Sequence, residues 1–104
     1  MALKYMGDAP VKEKNIANKI LKYLKSLDNC FCFKEHGGRY GTAGIPDIIC
    51  CFNGRFIAFE VKTEKGRLTK LQEITIQRIK EAKGKAFKVT SLEEVKNILE
   101  NLEV

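Results

Sequence analysis

The sequence predicts an α/β domain with elements in the order α-β-β-β-α-β-α. Three observations predict it. Apolar residues recur at helical spacing near both ends, Asn53-Gly54 joins two apolar runs, and two boxes of the Ser/Thr-x-x-Gln/Glu type open helices. In 11–27, Ile16, Ile20, Leu24 and Leu27 fall on one helical face, with Ala17 and Leu21 beside them and most lysines opposite. Aromatic alternation in CFCFKE predicts a strand over 30–35, and four Gly and a Pro make 36–46 a loop. The runs 47–52 and 55–62 become strands of a tight hairpin, because Asn and Gly both accept positive φ. After a turn at 63–67, the box Thr69…Gln72 opens a helix through Ile74, Ile76, Ile79 and Ala82 that Gly84 closes. A strand follows at 85–89. A second box, Ser91…Glu94, opens a helix on Leu92, Val95, Ile98, Leu99 and Leu102.

At 104 residues, with 44% hydrophobic content, six Phe and three Tyr, the chain can fill one core and no second. We expect a single domain, with a core over 11–90 and a C-terminal helix over 91–103. No apolar run approaches the ~20 residues of a membrane span, and the first residues do not read as a signal peptide. The expectation is therefore a soluble, cytoplasmic protein. Cys30, Cys32, Cys50 and Cys51 have C-x-C and C-C spacings, which fit neither a zinc site nor a redox pair. They read as reduced core residues.

Charge narrows the partner. Nineteen Lys+Arg face thirteen Asp+Glu, and residues 91–104 carry Glu93, Glu94, Glu100 and Glu103 against Lys96 alone. The remaining residues are strongly basic, which points to a polyanion, nucleic acid above all. A lysine-rich surface kept for solubility is the plainer alternative.

The hairpin register carries the chemistry. A two-residue turn at 53–54 sets Asp47 opposite Glu60, on a face shared with Ile49, Cys51, Phe56, Ala58 and Lys62. The other face is nearly all apolar. Opposed carboxylates repel, and burial makes the repulsion worse, so something must compensate. A divalent cation such as Mg²⁺ does so through oxygen ligands, while Lys62 can hold a water or meet charge on a phosphate. A solvated strand end neutralised by Lys62 is the plain alternative. The glycine-rich loop, with Lys34, His36 and Arg39 nearby, can approach a sugar-phosphate backbone. Lys65, Arg67 and Lys70 surround a helix start and are expected to contact DNA backbone. Tyr40 is a candidate for base stacking or for ordinary packing.

These residues resemble a known family. Gly44-Ile45-Pro46-Asp47, then Glu60-Val61-Lys62, then Gly66-Arg67-Leu68-Thr69 with Gln72, are similar to the VRR-NUC domain of the PD-(D/E)xK nuclease superfamily, in its stand-alone, phage-type size class. The resemblance implies an αβββαβ core with a mixed sheet and a central hairpin. It implies Mg²⁺ or Mn²⁺ on Asp47, Glu60 and the Val61 carbonyl, with Lys62 positioning the attacking water and Gln72 supporting it. Glu13, which extends the apolar stripe of the first helix, would then assist the metal site; an acid in a first helical turn is its bland reading. Gln72 is equally explained as half of a capping box. The implied activity is Mg²⁺-dependent endonucleolytic cleavage of DNA, at branched structures such as Holliday junctions or flaps, by a homodimer whose interface includes the C-terminal helix. Rivals are a non-catalytic DNA-binding module on a nuclease fold, a restriction-type nuclease and an RNA substrate.

Overall fold

The computed structural model describes residues 8–35 and 43–102. Seven elements run α1 (Asp8–Lys25), β1 (Cys30–Lys34), β2 (Ile48–Phe52), β3 (Arg55–Val61), α2 (Lys70–Glu81), β4 (Lys85–Val89) and α3 (Leu92–Asn101). This is the order the sequence predicts, with α1 beginning three residues earlier than the predicted 11–27. The four strands form one mixed sheet in the order β1-β2-β3-β4, antiparallel except for the parallel pair β3–β4. A parallel neighbour needs a crossover, which α2 supplies.

The β2–β3 hairpin has the expected register, from Phe52↔Arg55 to Ile48↔Phe59. Asn53 and Gly54 carry φ of 54° and 81°, the two positive values a type I′ turn needs. One sheet face presents Ile48, Cys50, Ile57, Phe59 and Val61 to Ala17, Ile20 and Leu24 of α1 and to Val95 and Leu99 of α3. These side chains are almost fully buried, and Phe59 stacks on Phe87 with ring centroids 6.1 Å apart. The apolar stripe of α3 thus packs into this core, with Val95 and Leu99 buried and Leu92, Ile98 and Leu102 partly so.

On the opposite face α2 packs against β4, around Ala58, Ile76 and Ala86. It leaves the β1–β2 side of that face uncovered. Among the described residues no helix is long and apolar enough to cross a membrane.

Three details depart from the sequence reading. Gly84 does not take the left-handed position after α2; Lys83 does, with φ of 76°. Gly84 is required for space instead, since a Cβ there would lie 3.0 Å from Ile79 and 3.1 Å from Phe56. At α3 the Ser91 hydroxyl accepts from the Glu94 N–H, but the Glu94 carboxylate reaches Thr90 and not Ser91, so the second box is displaced by one residue. All four cysteines are free, yet Cys51 is exposed on the half-covered face and not in the core. Burial raises the thiols of Cys30, Cys32 and Cys50, that of Cys32 to about 11, which keeps them unreactive.

Candidate active site

The chain reaches the site through Gly44-Ile45-Pro46-Asp47. Gly44 has φ of 86°, and a Cβ there would stand 2.8 Å from the Thr75 hydroxyl and 2.9 Å from the Leu71 carbonyl. Only glycine lets this segment lie against α2, so it fixes Asp47 relative to that helix. The Asp47 carbonyl accepts from the Glu35 N–H at 2.7 Å, and its carboxylate accepts from the Val61 N–H at 2.8 Å. Asp47 is therefore tied to β1 by its backbone and to β3 by its side chain.

Continuing the hairpin register beyond Ile48 sets Asp47 beside Glu60 and Pro46 beside Val61. Val61 is a position whose N–H and C=O both face β2, as its bond to Asp47 demonstrates. A residue with an N–H at 46 would donate to the Val61 carbonyl; Pro46, fully buried, has none to give. The Val61 carbonyl is thereby left available beside the two carboxylates. Sequence reasoning singled out Val61 only through a resemblance, although the same register count identifies the reason.

Glu60 is the one charged side chain in the described core, 3% exposed. Its Oε2 accepts from Gln72 Nε2 at 3.1 Å and lies 3.8 Å from the Lys62 ammonium, while Oε1 has no hydrogen-bond partner. Burial first, and the Asp47 charge second, push its carboxyl up to about 8; Lys62 pulls the other way. Such a carboxylate is costly in the absence of a cation. An orphaned buried oxygen, a second carboxylate and a free carbonyl form a hard oxygen set that fits Mg²⁺ or Mn²⁺.

Gln72 both completes the cap of α2 and reaches Glu60. Its Oε1 accepts from the Thr69 N–H at 2.9 Å and its N–H donates to the Thr69 hydroxyl at 3.1 Å, completing the capping box. Its Nε2 is then free to hold Glu60. Gly66 sits over the stem of Lys62, where a Cβ would come within 3.2 Å of the lysine Cβ.

The remaining candidates are more scattered. Glu13 is half-buried and close enough for its charge to raise Glu60 slightly, but no hydrogen bond joins the two. Among the described residues no three His, Cys, Asp or Glu side chains gather as a metal-binding group, so the acidic pair is Asp47 and Glu60. Lys65 and Arg67 are exposed on the segment between β3 and α2, and Lys70 is exposed at the first residue of α2. Lys34 pairs with Ile48, which puts it on the α1 side of the sheet, away from Glu60. Arg39, with His36 and Tyr40, lies outside the described residues. Lys88, exposed and paired with Glu60 across the parallel strands, is a cation the sequence did not mark. Its position depends on a parallel register that local patterns do not reveal.

Two solved structures share this architecture. One, titled "VRR_NUC domain", has a TM-score of 0.74 and 21% identity, covering 88% of this chain and 98% of that one. Another, titled "VRR_NUC domain protein", has a TM-score of 0.67 and 16% identity, covering 85% of this chain and 84% of that one. The chain has the VRR-NUC fold. No family model and no curated protein matches the sequence.

Proposed function

We propose that this protein is a divalent-metal-dependent nuclease that hydrolyses DNA phosphodiester bonds. One observation carries the reading: Glu60 is buried beside Asp47 with one oxygen unpartnered, and Lys62 and Gln72 converge on its other oxygen. Structural carboxylates are buried with their partners satisfied; this one is kept incomplete. The VRR-NUC fold and the net charge of +6 support a nucleic-acid substrate.

Asp47, Glu60 and the Val61 carbonyl would hold Mg²⁺ or Mn²⁺, which when bound supplies Lewis-acid polarisation of a phosphate oxygen and a more acidic water. Asp47 is oriented for this by its bond from the Val61 N–H. Gln72 fixes the Glu60 carboxylate through Oε2, leaving Oε1 without a protein partner. Lys62 offers its ammonium to the attacking water or to charge gathering on the phosphate. Lys65, Arg67 and Lys70 lie along the approach and would hold the backbone through their charges. Branched DNA as the preferred substrate, and a homodimer making paired cuts, belong to the proposal at its finest level.

The test is cleavage of end-labelled four-way junction, flap, linear duplex and single-stranded DNA in Mg²⁺, Mn²⁺, Ca²⁺ or EDTA. We expect cuts in Mg²⁺ or Mn²⁺ that Lys62→Ala removes, with sedimentation reporting a dimer. Tight binding without cuts in any metal would replace this reading with a DNA-binding module.

A further inference from the structure

The structure has a recess on the face that carries Glu60. It is a half-open cavity of about 590 Å³ between α2 and the β2–β3 hairpin. Phe56, Ile45 and Ile79 supply apolar walls, and Arg78 and Lys83 line it with cations. Neither cation enters an ion pair among the described residues. Phe56 is 46% exposed, so a large aromatic surface stays open to the recess. Gly84 keeps it open, because a side chain there would press on both Phe56 and Ile79.

This combination selects its occupant. An aliphatic peptide would use the apolar walls and leave two unpaired cations at the contact. An unstacked nucleotide uses both: the base lies on Phe56 and the apolar walls, and its phosphate meets Arg78 and Lys83. Geometry links the recess to the carboxylates. Phe56 and Glu60 lie four residues apart on one face of β3, about 13 Å at the rise of a strand. That is about four nucleotides of a stacked strand. On the α2 side, Gln72 holds Glu60 and Thr75, one turn on, begins the cavity wall. Phe31 and Cys51 continue the row from Phe56 across the sheet, and Phe31 is 73% exposed.

We propose that the recess between α2 and the hairpin is a nucleotide subsite, which takes an unpaired base of the strand being cut and reads its phosphate with Arg78 and Lys83. It rests on the nuclease reading, since the same strand is to reach Glu60. It assigns the substrate a single-stranded segment on the Phe56 side of the cut.

The test is a titration of ¹⁵N-labelled protein with a thymidine tetranucleotide in EDTA, where no cleavage intervenes. Saturable shifts are expected at the amides of Phe56, Lys83 and Gly84. Phe56→Ala should weaken binding about 5-fold to 100-fold, the loss expected for one base-stacking aromatic. Lys83→Gly suits the positive φ at 83 and removes only the ammonium; it and Arg78→Ala should each weaken binding several-fold. Saturation elsewhere with these amides unmoved, or affinities unchanged in all three variants, would overturn the subsite. Shifts that follow protein concentration and not the oligonucleotide would assign the recess to a second copy and also overturn it. Because the titration needs no metal, a protein that cuts nothing can still pass it, and an active nuclease can still fail it.

Discussion

The two faces of the sheet are built by opposite rules. On the α1–α3 side, Ile48, Ile57, Phe59 and Val61 are closed over completely, and no charged side chain is fully buried among them. On the α2 side, the helix covers only β3 and β4, Phe31, Phe33 and Phe56 stay exposed, and a buried carboxylate sits at the end of β3. Strand alternation lets one sequence serve both, since Phe59 and Glu60 are neighbours that point apart. The difference teaches where stability and function reside: the closed face holds the fold, and the open face accepts costs that the closed one covers. Glu60 is such a cost, with burial and Asp47 both opposing its charge.

The largest expected effect breaks the open face without touching the closed one. Lys62→Ala should reduce metal-dependent cleavage about 10²–10³-fold, the usual loss for one group stabilising developing charge. Its unfolding midpoint in EDTA should stay near that of the parent. A fall in stability that matches the fall in cleavage would mean Lys62 supports the fold and not the reaction. Phe59→Ala is the converse. It removes a fully buried ring stacked on Phe87, and should cost about 3–5 kcal/mol in urea unfolding.

The cost of Glu60 can be read from pH. In the unfolded chain its carboxyl titrates near its ordinary 4.5, and in the metal-free fold near 8. Below about pH 4.5 both states are protonated and the group costs nothing. As pH rises towards 8 the unfolded chain ionises first, so stability falls, and above 8 the loss is complete. Glu60→Gln has no such proton. It should unfold like the parent near pH 4 and be more stable at pH 8.5, by on the order of a few kcal/mol in EDTA. Parallel curves for the two proteins would show that Glu60 is not held at a cost. Metal binding below pH 8 must also displace that proton, so affinity should rise with pH up to there.

Most of this molecule was legible because its signals are local. Asn53-Gly54 determined the hairpin register, the register opposed Asp47 and Glu60, and Thr69…Gln72 began α2 at its observed residue. What escaped depends on elements meeting across the fold. Lys88 comes beside Glu60 through a parallel pairing, and the recess on Phe56 is walled by residues of α2 and the turn after it. Gly84 looked like a helix terminator; its constraint is the Phe56 ring, far away in sequence. The face Lys34 occupies, on the α1 side of the sheet, likewise follows from the β1–β2 register and not from its place before the glycine loop.

The smallest expected effect is the sharpest probe of how the two faces are joined. Thr69 and Gln72 form a reciprocal cap, and only the amide nitrogen of Gln72 is left to reach Glu60. Thr69→Ala removes one acceptor and should cost about 1 kcal/mol of stability, the common loss for a helix cap. Cleavage should fall more than that loss explains, because a Gln72 side chain no longer anchored by the cap samples positions away from Glu60. Thr69→Ser keeps the hydroxyl and should restore both. Gln72→Glu separates the two roles: its carboxylate can still accept from the Thr69 N–H, but it cannot donate to Glu60 and brings a third negative charge to the pair. Its helix should therefore remain while cleavage falls, and the Glu60 carboxyl should titrate higher still. Should Gln72→Glu cleave like the parent, the bond to Glu60 would be incidental to the cap.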